Sequence, residues 1–168
     1  MEKLKLSLIA LALTSSMAAH AAVTGPGASQ HYQLDVVEPT QITHTMTPMD
    51  SLEAGHLADS TPLVKGTVNS SKPVNAVALQ WVGGSAGSSE LEHVFADANN
   101  ASNHLSVRFV ATTAGAAMQD GSDGQRYFVI PAISGSASEF NYVVTSAGDQ
   151  ELKAGSYDIA VNAYQWIS

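Results

Sequence analysis

The sequence predicts an all-β sandwich, and three observations predict it. Short runs of alternating apolar and polar residues recur along the chain, fenced by Pro, Gly and Asn. Charged residues make up only 13% of the chain, while Ser, Thr, Ala, Gly and Val are plentiful, a composition that favours strands and turns. Helical periodicity is poor almost everywhere after the first 21 residues.

Those first residues read as a secretory signal. Lys3 and Lys5 supply the positive start and residues 6–13 the apolar stretch. Ala19 and Ala21 place small side chains where a signal peptidase reads. The apolar stretch is far shorter than the roughly 20 residues a bilayer-spanning helix needs. No later stretch is long enough either, so the mature chain is expected to be exported and soluble. Cleavage before Ala22 leaves enough chain for one domain with one core. Three parts are expected: a signal over 1–21, an extension over 22–38 and a domain over 39–168.

The elements follow in order. Gly25, Pro26 and Gly27 make residues 22–31 flexible and too poor in apolar side chains for a core strand. Tyr32, Leu34 and Val36 then begin a strand-like alternation, fenced off by Pro39. Ile42, His44 and Met46 form the next apolar face. Residues 64–68 form another strand, followed by the turn-like residues 69–73. Val77, Leu79 and Trp81 alternate up to Gly83-Gly84, and residues 85–103 fit strand, short helix or loop. Leu105, Val107 and Phe109 alternate next, then come runs over 127–133 and 140–145. Tyr157, Ile159 and Val161 alternate in the last strand.

Composition also excludes functions. The formal charge is −8, and losing Lys3 and Lys5 with the leader makes the remainder more acidic still. Such a surface repels nucleic acid and anionic lipid, so no nucleic-acid partner is expected. There is no cysteine, which removes thiol catalysis, thiolate–metal sites and disulfide bracing together.

Several motifs are decoys. Residues 83–87 match G-x-S-x-G around Ser85, but a nucleophile elbow needs a strand, a sharp turn and a supporting helix, and the flank here is Gly- and Ser-rich. No catalytic residue is expected. His31, His44, His56, His93 and His104 lack close metal-ligand spacing, so no metal site or cofactor is expected either. His44 lies on the apolar face of its strand, where a hydrogen-bonded core imidazole is the ordinary outcome. Residues 120–124 resemble a calcium loop but lack the distal glutamate, and read as an Asp-Gly hairpin tip. Trp81, Trp166 and Tyr127 would form a stacking platform if exposed.

The two ends carry the functional signal. The final apolar alternation runs nearly to the end of the sequence, leaving little chain to cover its outer edge. An unpaired edge is an aggregation hazard and calls for a covering strand, which another chain can supply. Residues 152–165 resemble the terminal strand of chaperone–usher pilins. Gly155, Tyr157, Ile159, Val161 and Tyr164 take the places of that family's glycine, alternating apolar residues and near-terminal tyrosine. The chain runs on beyond that stretch by Trp166, Ile167 and Ser168, a departure from the family pattern. Residues 32–69, with Pro39, Pro48, residues 51–55 and Lys65, are similar to the Saf-type, cysteine-free branch.

The resemblance implies an incomplete immunoglobulin-like β-sandwich lacking its last strand, with an N-terminal donor-strand extension. It implies that Tyr32, Leu34 and Val36, with Ala28 and Gln30 on the same alternation, insert into a neighbouring subunit's groove. Gly155, Tyr157, Ile159, Val161 and Tyr164 would mark the strand that accepts it. The implied partners are identical pilin subunits, a periplasmic chaperone, an outer-membrane usher and a host receptor. The implied destination is a fimbria at the cell surface, with adhesion along the fibre. The alternative is a stand-alone exported sandwich that binds a host glycan or receptor.

Overall fold

Twelve strands and no helix occupy the described residues, 38–49 and 52–167, of this computed structural model. The expected signal and the candidate donor residues Ala28, Gln30, Tyr32, Leu34 and Val36 lie outside them. The strands in chain order are β1 (Ile42–Pro48), β2 (Gly55–Leu57), β3 (Pro62–Val74), β4 (Ala76–Val82), β5 (Ser85–Ala86) and β6 (Glu92–Ala96). They continue with β7 (His104–Ala111), β8 (Ala117–Asp120), β9 (Arg126–Pro131), β10 (Ala137–Ser146), β11 (Gln150–Leu152) and β12 (Ala160–Trp166).

One sheet has the order β1-β3-β10-β7-β6-β5 and the other the order β12-β4-β9-β8. A small ladder joins β11 to β2, and every ladder is antiparallel. The fold is an all-β, immunoglobulin-like sandwich.

Alternation drives the packing. Leu105, Val107 and Phe109 of β7 point inward, as do Phe140, Tyr142 and Val144 of β10 and Val77 and Leu79 of β4. Aromatic rings bridge the two sheets where a disulfide is unavailable to the sequence. Phe109 of β7 stacks on Trp81 of β4 with centroids 3.7 Å apart, and on Phe128 of β9 at 5.3 Å. Trp81 therefore belongs to the interior, which separates it from the exposed platform expected with Trp166 and Tyr127.

The structure moves several boundaries. Residues 69–73 do not reverse the chain; they lie inside β3. The turn chemistry appears instead as an irregularity in the ladder, where Asn69 pairs with Glu139 but Val74 pairs with Ala137. Five steps along β3 oppose two along β10, which frees Pro73 from any ladder duty. Residues 85–103 supply β5, β6 and a loop. Ser85 pairs with Val94 and no helix follows it, so the nucleophile-elbow geometry is missing there. Regular pairing of the last strand starts at Ala160, later than the alternation from Tyr157 implies.

Candidate strand-acceptor groove

Strands β1 and β12 come from different sheets and approach each other along one side of the sandwich. Among the described residues β1 pairs only with β3, and β12 only with β4. Both facing edges therefore carry backbone N–H and C=O groups with no ladder partner among the described residues, a condition that invites an added strand.

Side-chain burial marks the same seam. On central β7, Leu105, Val107 and Phe109 are 3%, 0% and 3% exposed. The equivalent inward positions Ile42, His44 and Met46 on β1, and Ala163 on β12, are only half-buried; Val161 is 9% exposed. These residues pack against the core on one side and lack the cover that β7 enjoys. At one end the seam opens into a pocket of about 430 Å³, lined by Leu63, Leu105, Leu152, Tyr157 and Ile159 among others. It is apolar and large enough for a bulky side chain.

His44 is the polar exception. Its Nε2 lies 2.8 Å from the Tyr142 hydroxyl, and the ring also meets the Val161 backbone of β12. The imidazole thus links both walls of the seam to the core. Tyr142 reaches it because Gly66 lies beside Tyr142 in the ladder; a Cβ on Gly66 would fall 2.1 Å from the ring. Burial pushes the Tyr142 hydroxyl pKa up.

Burial lowers the His44 pKa below its ordinary value of 6.5, partly offset by the Val161 backbone. The unfolded chain then takes up this proton first, so stability is lost as pH falls below 6.5 and on through the lower folded value. Unfolding midpoints measured between pH 7 and pH 5 should therefore decline, and the part due to His44 should vanish in His44→Gln.

The C-terminal candidates divide. Val161 faces the core, and Tyr157 and Ile159 line the apolar pocket before β12 begins. Tyr164 lies three residues after Val161 on a strand, so it faces the opposite way. It meets Tyr127 on the outer surface, with ring centroids 5.8 Å apart. Tyr164 therefore stands apart from the seam, and the odd spacing already in the sequence carried that signal.

Gly155 has a local reason. The Asp97 Oδ1 accepts from the Ser156 N–H at 2.9 Å and from the Asn99 N–H at 3.1 Å. These donors hold the carboxyl below its usual range. They also tie the loop after β6 to the start of the terminal segment, where Asp97 bridges to Tyr157. A Cβ at position 155 would sit 2.6 Å from that carboxyl. Gly155→Ala should destabilise the fold by about 1–3 kcal/mol in urea melts, as overpacking does elsewhere.

His44, Gly66 and Asp97 were not in the expected site. His44 had one legible clue, its place on an apolar strand face; the contacts of Gly66 and Asp97 depend on partners remote in sequence.

No protein-family model matches the chain, and no curated protein matches it in sequence. Solved structures do match. The Salmonella SafD adhesin is similar at TM-score 0.63 and 18% identity, over 76% of this chain and 88% of that one. The Hda pilus minor tip subunit HdaB of E. coli is similar at TM-score 0.63 and 12% identity, over 76% and 84%. Self-complemented MyfA, the major subunit of Myf fimbriae of Yersinia enterocolitica, is similar at TM-score 0.53 and 13% identity, over 74% and 86%. The chain thus has the fold of fimbrial and adhesin subunits, in agreement with the Saf-type resemblance of its sequence.

Proposed function

We propose that the chain is a structural fimbrial subunit, assembled by the chaperone–usher pathway through donor-strand exchange. The observation that carries this reading is the seam, where two edge strands from different sheets stand side by side with no ladder partner on their facing edges among the described residues, over half-buried apolar residues. A strand from another molecule would pair with these edges and cover Ile42, Met46 and Ala163. Residues 22–38 are the proposed donor, with Tyr32, Leu34 and Val36 as the inserted side chains and Ala28 and Gln30 seated beyond them.

In this reading a periplasmic chaperone fills the seam first. At the outer-membrane usher the extension of the next subunit replaces it, and the fibre reaches the cell surface. A donor extension suits a shaft position, since every shaft subunit must complement a neighbour. Adhesion to a host receptor along the fibre completes the proposal. No enzymatic chemistry is part of it.

The test is electrophoresis in SDS without boiling. The full chain should give a ladder of multimers that collapses to monomer on boiling, and deletion of residues 22–37 should abolish it. A monomer in both cases sinks the reading and favours the stand-alone binding module.

A further inference from the structure

The inward face of β1 carries a thioether. Met46 follows Ile42 and His44 along that face, packs against the core and is half-buried. It lies opposite Gly66 of β3, which brings no side chain of its own, since the Tyr142 ring fills the space where a Cβ would stand. Among the described residues β1 has no ladder partner on its other side. Met46 thus meets the core on one side and keeps part of its surface open to solvent.

Its chemistry sets it apart from its apolar neighbours. The chain has no cysteine, so methionine thioethers are its softest oxidisable groups. Hydrogen peroxide oxidises a thioether in one two-electron step. A sulfur lone pair attacks one peroxide oxygen, the O–O bond breaks and an S–O bond forms. The proton on that oxygen passes to the departing hydroxide, which leaves as water. A flexible apolar side chain becomes a polar, chiral sulfoxide.

The new oxygen needs a hydrogen-bond donor, and the polar groups of the seam are committed elsewhere. His44 Nε2 and the Tyr142 hydroxyl bond to each other at 2.8 Å. In an open seam water solvates the sulfoxide at little cost. Beneath an added strand it loses that water and gains no partner, which is unfavourable. We propose that Met46 is an oxidation site for peroxide, open in the unfilled subunit and shielded in the filled one, and that its sulfoxide weakens acceptance of the donor strand. The proposal rests on the strand-exchange reading and extends it: an oxidised subunit is kept out of the fibre, whereas an assembled subunit resists oxidation. Two other methionines are internal controls. Met118 lies on β8, at the edge of the four-stranded sheet far from β12, and Met49 lies beyond the end of β1 with 46% exposure.

The experiment uses the full chain after the expected leader, residues 22–168. Unfolded in urea, it is oxidised with hydrogen peroxide, freed of peroxide and diluted to assemble, and its unboiled SDS ladder is compared with that of untreated chain. Oxidation should reduce the ladder about tenfold or more, as one buried polar group without a partner would. A Met49→Leu/Met118→Leu chain, left with Met46 alone after the leader, should lose its ladder in the same way. Met46→Leu should give the same ladder treated as untreated. Mass spectrometry then locates the sulfoxide in native samples. Met46 should oxidise about tenfold more slowly in assembled wild type than in unassembled Leu34→Asp, while Met118 should react alike in both. An unchanged ladder with Met46 fully oxidised, or equal reactivity of Met46 in both native samples, would overturn this inference alone. Absence of any ladder from the untreated chain would overturn the strand-exchange reading beneath it as well.

Discussion

Leu34→Asp is expected to abolish the multimer ladder while leaving the variant able to receive a strand. On the proposed register Leu34 is the middle of three inserted side chains. Burying an apolar side chain of this size contributes about 1.5–3 kcal/mol, so Tyr32, Leu34 and Val36 together contribute roughly 5–9. A carboxylate at the middle position loses one share and adds the cost of burying an unpaired charge. A whole domain has a net stability of only about 5–15 kcal/mol, so on the proposed register a fault of this size should decide assembly. The asymmetry is the sharper part of the prediction. A donor-dead subunit still has β1 and β12, so on the proposed reading it should accept one neighbour and complement none. Co-expressed with the wild type, it should shorten the ladder in proportion to its share. Ladders of unchanged length, with the variant distributed throughout, would contradict the donor role of residues 32–36.

Gly66→Ala is expected to be the most damaging single substitution in the described domain. The added Cβ would lie 2.1 Å from two atoms of the Tyr142 ring, and Tyr142 is buried with 0% exposure. The ring cannot yield without leaving the core or losing its bond to His44, and Met46 faces the same glycine from β1. Overpacking commonly costs about 1–3 kcal/mol, and a large immobile aromatic places this case at or above the top of that range. Urea unfolding of the strand-complemented subunit measures it. Tyr142→Ala should be harmful alone yet partly relieve Gly66→Ala, because the clash disappears with the ring; the double variant should fall short of the sum by more than about 0.5 kcal/mol. Strict additivity would contradict the contact.

Much of this fold was legible because a period of two is hard to disguise. Ile42, His44 and Met46, and Leu105, Val107 and Phe109, share faces in the structure as they do in the sequence pattern. Short strands were the harder case. Strands β2, β5 and β11 have two or three residues each, too few to show alternation. The stretch 69–73 misled because Asn, Ser and Pro mark a bulge and a turn with the same residues. The seam was legible only as an expectation about edges, since strand propensity does not reveal which strand lacks a neighbour. Tyr164 resembled its family counterpart by position while its parity assigned it to the other face. Trp81 and Trp166, alike in composition, lie on opposite sides of one sheet for the same reason: an odd spacing along paired strands.

The claim on which everything rests is that the seam between β1 and β12 is filled by a strand from outside the domain. A subunit lacking residues 22–37 can be titrated with a peptide spanning residues 22–38 while backbone amide exchange is followed. The account predicts saturable binding, a raised unfolding midpoint, and new protection along the facing edges of Ile42–Pro48 and Ala160–Trp166. A shortened subunit already stable and protected at both edges, and indifferent to the peptide, would contradict it.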